Sequence, residues 1–289
     1  MRKFILRSMV FFGLSIIFLS IFQIILIWPK KRLLTMPQGA TTVFLGNSTV
    51  EGALVDSIIP GTYNFARSAE TYDMIYAKLK LLKNYNPKLK NVIVTLDGPI
   101  LYSDTYISHG SPKAVLLEQF SGKDWLNNFK YYSVESDKQF ISTLYHFYNI
   151  RPMLLYTFGI PGGEENYLGG FRPIERNNLE NDLEEIKNGG DLMGYETDLP
   201  PWINIYYLDK IVDYCRKNDL DLVFLTTPRH KSIWYDTRYI DFYNNLDNGI
   251  PLLDFYKEEL PDSFYADVTH LNQAGAIYFS KKLKEKLRL

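Results

Sequence analysis

Val43-Phe44-Leu45-Gly46-Asn47-Ser48-Thr49-Val50-Glu51-Gly52 decides how the rest of the chain is read. An apolar run ends in Gly-Asn-Ser and turns polar, the pattern of a buried strand that stops at a tight turn. It leaves a serine at the strand's carboxyl edge, where open α/β sheets hold their ligands. A serine hydroxyl is a poor nucleophile until a neighbouring imidazole takes its proton, and that imidazole needs a partner on its other nitrogen. Asp267-Val268-Thr269-His270, near the other end of the chain, offers both groups. On a turn leading into a helix, this spacing brings the two side chains to one side of the backbone. Ser48 is therefore the candidate nucleophile, His270 the general base and then acid, and Asp267 the group that orients it. The plainer alternatives are a turn serine and a capping turn with a surface histidine.

Outward from that stretch, the chain alternates strands and helices. Residues 41–45 form the first strand, 62–66 a second and 91–96 a third, which ends at Asp97-Gly98-Pro99. Between them Tyr72, Ile75, Tyr76, Leu79 and Leu82 recur at helical spacing, so a helix covers 70–84 until Pro87 breaks it. Continuous apolar strands argue for a parallel sheet covered on both faces. The rhythm returns at Trp202, with a helix through Cys215, a fourth strand over 221–228 running into a loop, a fifth over 250–255 and a last helix over 272–287. Asn272 is a good N-cap for that helix. Residues 101–201 break the pattern as an insertion, read as a helical hairpin followed by a long glycine-rich loop. Within it 180–187 is a short acidic helix or a solvated charge run, and His109 and His146 are read as structural.

The start of the chain is different in kind. Residues 9–28 are almost unbroken Val, Phe, Leu, Ile and Met, closed by Pro29. Twenty helical residues span roughly 30 Å, the thickness of a bilayer core. A cleaved signal peptide would have a shorter apolar region and small residues at its end. Residues 1–32 are thus read as an uncleaved signal anchor, 33–40 as a linker and 41–289 as the domain that carries the site. Basic residues flank both sides of the anchor, which weakens the charge argument for its orientation. The 289 residues carry a net charge of −1, so no basic field points to nucleic acid. The single cysteine, Cys215, is read as a small buried hydrophobe. The Asp267–His270 pair has no third ligand at metal-binding spacing, and no cofactor is expected. Asp97 ends a strand at the ligand edge and reads equally as a substrate contact or a turn cap. Arg229 and His230 follow the fourth strand at the same edge, as substrate contacts or as a solvated basic turn.

These blocks together resemble the SGNH (GDSL-like) hydrolase superfamily. Gly46-Asn47-Ser48 looks like its Gly-Asp-Ser block, Asn64-Phe65-Ala66-Arg67-Ser68-Ala69 like its second, and Asp267-Val268-Thr269-His270-Leu271-Asn272 like its last. The third block departs: Leu96-Asp97-Gly98-Pro99 has no Asn to donate to an oxyanion. The resemblance implies a three-layer α/β/α flavodoxin-like fold with a parallel sheet, here preceded by one transmembrane helix. It implies oxyanion donation from the backbone N–H groups of Ser48 and Ala69. Ala69 stands where the family places a glycine, and donation there is expected only with φ negative. The anchor and the insertion resemble the extracytoplasmic branch, whose members act as O-acetyltransferases or esterases on cell-surface or exported polysaccharide of the bacterial envelope. Such members often work beside a membrane-embedded acyl donor protein. Hydrolysis and transfer share their first half, so both stay open. A non-catalytic protein that binds or assembles surface polysaccharide on the same fold is the alternative, and the absent Asn favours it.

Overall fold

The computed structural model describes residues 34–102, 119, 121–131, 169–190, 192, 199–246 and 249–287, with positions 10, 11, 13, 14 and 17. The anchor expected over 9–28 lies outside the described residues except at those five positions, and so do His109 and His146. Among the described residues no helix is long and apolar enough to cross a membrane.

Five strands form one sheet: β1 (Thr42–Leu45), β2 (Thr62–Asn64), β3 (Asn91–Thr95), β4 (Asp221–Leu225) and β5 (Leu252–Leu253). Their order is β2-β1-β3-β4-β5 and every pairing is parallel. The helices are α1 (Ser48–Glu51), α2 (Tyr72–Tyr85), α3 (Gly98–Leu101), α4 (Gly122–Lys130), α5 (Leu179–Lys187), α6 (Trp202–Lys217), α7 (Arg238–Asn245) and α8 (Gln273–Leu287).

Alternation along the strands divides the core in two. Val43, Leu45, Val92, Val94, Leu222 and Phe224 face one side and pack with α2 and α6. Phe44, Ile93 and Leu225 face the other and pack with α1 and α8. Both faces are covered, which is why the strands read as unbroken apolar runs rather than as alternating ones. A one-residue slip would exchange the two faces, so the register of Phe44 on Ile93 is held by packing on both sides. Cys215 lies buried on α6 within the first core.

Three details differ from the sequence reading. β5 is only Leu252–Leu253, because Asp254 turns its carboxylate to Thr226 Oγ1 at 2.6 Å and to the Tyr239 hydroxyl at 3.1 Å. The helix α7 before it carries Tyr239, Phe242 and Tyr243, residues of modest helix propensity, and gave no clear sequence signal. The stretch 34–40, expected as a linker, is packed: Leu34 and Met36 are buried. Asn86, at the end of α2, holds it by accepting from Met36 N at 2.7 Å and donating to Leu34 O at 2.7 Å.

The helix that follows the His270 loop starts where expected, with Asn272 Oδ1 accepting from Gly275 N at 3.1 Å. Gly275 lets α8 approach the 3₁₀ turn Asp262–Phe264, since a Cβ there would meet Phe264 O at 2.2 Å. Gly275→Ala should therefore cost about 2–3 kcal/mol, as overpacking against an unyielding backbone does. Urea denaturation checks this, with a lower midpoint and an unchanged slope as the expected result.

Candidate active site

Ser48 is set by the turn at the end of β1. Gly46 passes so close to β3 that a Cβ would lie 2.8 Å from Thr95 Cγ2. Asn47 caps α1, its Oδ1 accepting from Thr49 N at 3.1 Å. Ser48 is thus the first residue of a short helix, half-buried at the carboxyl edge of the sheet.

The second half of the site is a tight loop. Asp267 Oδ1 accepts from Thr269 N at 2.8 Å and from His270 N at 2.9 Å, so the carboxylate organises its own turn. Ala266 N donates to His270 O at 2.9 Å, and Tyr265 bridges to Leu271, closing the loop's neck. His270 Nδ1 lies 2.9 and 3.0 Å from the two Asp267 oxygens, and its Nε2 lies 2.8 Å from Ser48 Oγ. An ionised carboxylate only accepts, so Nδ1 carries the proton and Nε2 presents a lone pair to the Ser48 hydroxyl. Burial alone would push the Asp267 carboxyl up. Hydrogen bonds from His270 and Thr269, with the charge of His270, outweigh burial and hold it well below the usual carboxylate range. The arrangement can draw a proton from the serine and stabilise the imidazolium that results.

Arg176 was invisible in the sequence. Its Nε donates to Asp267 Oδ2 at 2.7 Å and its Nη2 pairs with the same oxygen at 2.6 Å, while half of its side chain stays exposed. Nη2 also lies 2.8 Å from His270 Nδ1, a contact rather than a hydrogen bond when Nδ1 is protonated. Arg176 comes from the insertion, where no periodicity or motif marked it. The insertion is stitched to the site by Gly170 N on Asn64 O at 2.6 Å, Asn178 N on Ala266 O at 2.7 Å, and Val268 N on Asp182 Oδ2 at 3.2 Å. Residues 174–176 run between two cavities, one of about 760 Å³ toward α8 and one of about 340 Å³ beside Ser68. Thr269 adds its hydroxyl to Asp267 Oδ1 at 2.8 Å. Its place inside Asp-x-x-His was the available signal.

The turn after β2 is locked from α1. Glu51 pairs with Arg67 at 2.7 Å and accepts from Ser68 N and Oγ at 2.7 and 2.6 Å. Behind it, buried Lys78 bonds Glu70 and donates to Phe65 O at 2.7 Å. Among the described residues, neither the Ser48 nor the Ala69 amide has an acceptor. Ala69 departs from expectation. Its φ is +56°, in the left-handed region, so the negative φ anticipated for it is not adopted.

Asp97, Arg229 and His230 are buried, and of its two readings Asp97 shows the turn cap. Asp97 and Arg229 are fully buried and paired with each other. Asp97 also caps α3, accepting from Ile100 N at 3.3 Å. His230 is 2 % exposed, with Nδ1 2.8 Å from Ser232 Oγ and Nε2 3.3 Å from Asp262 Oδ1. Strand ends at a ligand edge can point inward as well as out, and these three point inward. Among the described residues no group of three or more His, Cys, Asp or Glu is placed to hold a metal ion. Burial pushes the Cys215 thiol up to about 12, which leaves it inert as a nucleophile.

Comparison with models of known protein families and with curated proteins finds no match to this chain.

Two outcomes follow from this geometry. The folded state lowers the Asp267 pKa, so its contribution to stability is present above the unfolded value near pH 4. It fades as pH falls through the still lower folded value. The melting-temperature gap between wild type and Asp267→Asn should be wide at pH 7 and should narrow as pH falls below about 4. Ala69→Gly should raise stability by roughly 1 kcal/mol, because glycine adopts positive φ without strain. Chemical denaturation measures that gain.

Proposed function

We propose that the protein is a serine-dependent acyl-ester enzyme. Ser48 Oγ attacks the carbonyl carbon of an ester while its proton passes to His270 Nε2. The oxyanion takes hydrogen bonds from the Ser48 amide and from the Ala69 amide, which holds the left-handed φ a glycine would adopt there and has no other acceptor among the described residues. The C–O bond to the leaving alcohol then breaks, and that alcohol leaves with the proton from His270. In the second half, water or a sugar hydroxyl gives its proton to His270 and attacks the acyl-enzyme. Ser48 is restored, and the product is a free acid or a new ester. Asp267 stays ionised throughout and stabilises the imidazolium.

The observation that carries this reading is the unbroken line from Ser48 Oγ to His270 Nε2 at 2.8 Å and from Nδ1 to Asp267 at 2.9 Å. The parallel sheet supports it, since the first-strand serine leaves β1 at the same edge where the segment after β4 holds the His270 loop through His230 N and Val268 O. The resemblance to SGNH hydrolases adds the flavodoxin-like fold name and the substrate class, acylated cell-surface or exported polysaccharide. It also adds a membrane-embedded acyl donor as a partner. The anchor over 9–28 belongs to the same proposal, with the bulk of the chain outside the cytoplasm. Val10, Phe11, Leu14 and Ile17 are exposed apolar side chains, as such a segment requires.

One observation favours a second reading, a non-catalytic polysaccharide-binding protein on the same fold. The third block supplies only a buried carboxylate, Asp97, which cannot donate to an oxyanion. Labelling with a fluorophosphonate probe separates the two. The full chain should label on Ser48 and hydrolyse p-nitrophenyl acetate. Ser48→Ala and His270→Ala should each lose roughly 10⁴-fold or more, and the double variant should lose little beyond either single one. A folded wild-type protein that takes no label would favour the second reading.

A further inference from the structure

We propose that Thr49, Asp97 and Arg229 form a positioning relay that holds Ser48 and His270 at their mutual distance. This deepens the reading above, because it rests on Ser48 and His270 being nucleophile and base. The three residues leave the carboxyl ends of β1, β3 and β4, which are consecutive neighbours in the sheet. Thr49 follows Ser48 in the chain, and its Oγ1 lies 3.1 Å from Asp97 Oδ2. Its hydrogen is shared with Asn47 Oδ1 at 2.7 Å, the cap of the same turn. Asp97 Oδ2 accepts from Arg229 Nη2, and Arg229 Nη1 donates to the carbonyl of Thr269, the residue before His270. One guanidinium fork therefore connects the nucleophile's turn to the base's loop.

Arg229 holds that loop with its backbone as well. The amide of the next residue, His230, donates to Val268 O at 3.0 Å, and Arg229 O accepts from the Tyr265 hydroxyl at 3.0 Å. Asp97 and Arg229 are both fully buried. A buried ion pair recovers little net stability once desolvation is counted, so its position beneath the site points to geometry. The pair is rigid because neither partner can relax toward water. A lysine could neutralise Asp97, but it lacks the planar fork that reaches Asp97 and the Thr269 carbonyl together. Thr49, Asp97 and Arg229 are positioning residues: they act through Ser48 and His270.

The test uses the full chain and five variants. Thr49→Val removes the hydroxyl with little change of shape, Thr49→Ser restores it, and Arg229→Lys keeps the charge without the fork. Tyr243→Phe removes a hydrogen bond to Ile250 O at 2.8 Å away from the site, as a comparison for general destabilisation. The fluorophosphonate labelling rate and kcat for p-nitrophenyl acetate should fall about 10- to 100-fold in Thr49→Val and Arg229→Lys, with KM within about 2-fold, as for a small misplacement of reacting groups. Thr49→Ser should recover most of the rate, and Tyr243→Phe should lower the melting temperature without changing kcat. Folded Thr49→Val and Arg229→Lys proteins that react at the wild-type rate would overturn the relay. An unreactive wild type would sink the enzyme reading itself. The relay is then judged on the low-field proton NMR signal of His270 Nδ1–H, assigned by its loss in His270→Gln. A signal kept in Thr49→Ser and shifted or lost in Arg229→Lys supports the relay, and a signal unchanged in Arg229→Lys refutes it.

Discussion

The hydrogen bond between Ser48 Oγ and His270 Nε2 joins residues 222 positions apart. No local preference holds such a pair. Closing a chain segment of that length costs entropy that one hydrogen bond cannot offset, so the contact persists only because the sheet has already brought the two ends together. The parallel sheet does this by direction alone. Every strand runs the same way, so every strand-to-loop exit lies at one edge. Ser48 leaves β1 there, and the His270 loop is fastened to the exit of β4 through His230 N and Val268 O.

What lies beneath that edge is unusually charged for a protein interior. Glu51 with Arg67, Glu70 with Lys78 and Asp97 with Arg229 are buried ion pairs, and each borders a turn that carries part of the site. Apolar side chains of similar volume would be as stable or more so. A carboxylate or guanidinium offers something an apolar group lacks: several directed hydrogen bonds from a single rigid plane. Glu51 uses both oxygens to hold Arg67 and Ser68, and so fixes the turn that carries the Ala69 amide. The turns of the candidate site are thus braced from below rather than by their own sequence.

The insertion adds a further support from the solvent side. Arg176 reaches Asp267 and completes a set of donors in which both carboxylate oxygens are engaged. With its charge so well accommodated, Asp267 stays ionised and aimed at His270 Nδ1. The half-exposed guanidinium then stands at the wall between the two cavities, where a group bound in either one would meet it.

The sequence by itself determined the period of the elements, the parallel sheet and the identity of the paired blocks. These signals are local: an apolar run stopping at Gly46, a carboxylate three residues before an imidazole, an Asn ahead of the last helix. Tertiary structure alone decided which way side chains at the strand ends turn. Asp97, Arg229 and His230 stand at the ligand edge in the sequence, yet all three are buried, because the groups they bond come from other strands and loops. Arg176 shows the converse. Its partner Asp267 is 91 residues away, and nothing in the residues around it could announce that meeting. Ala69 belongs here too, since its left-handed φ is set by a turn locked from Glu51 and not by alanine's own preference. Periodicity records what each segment buries, but the direction of a buried charge depends on a partner that only folding supplies.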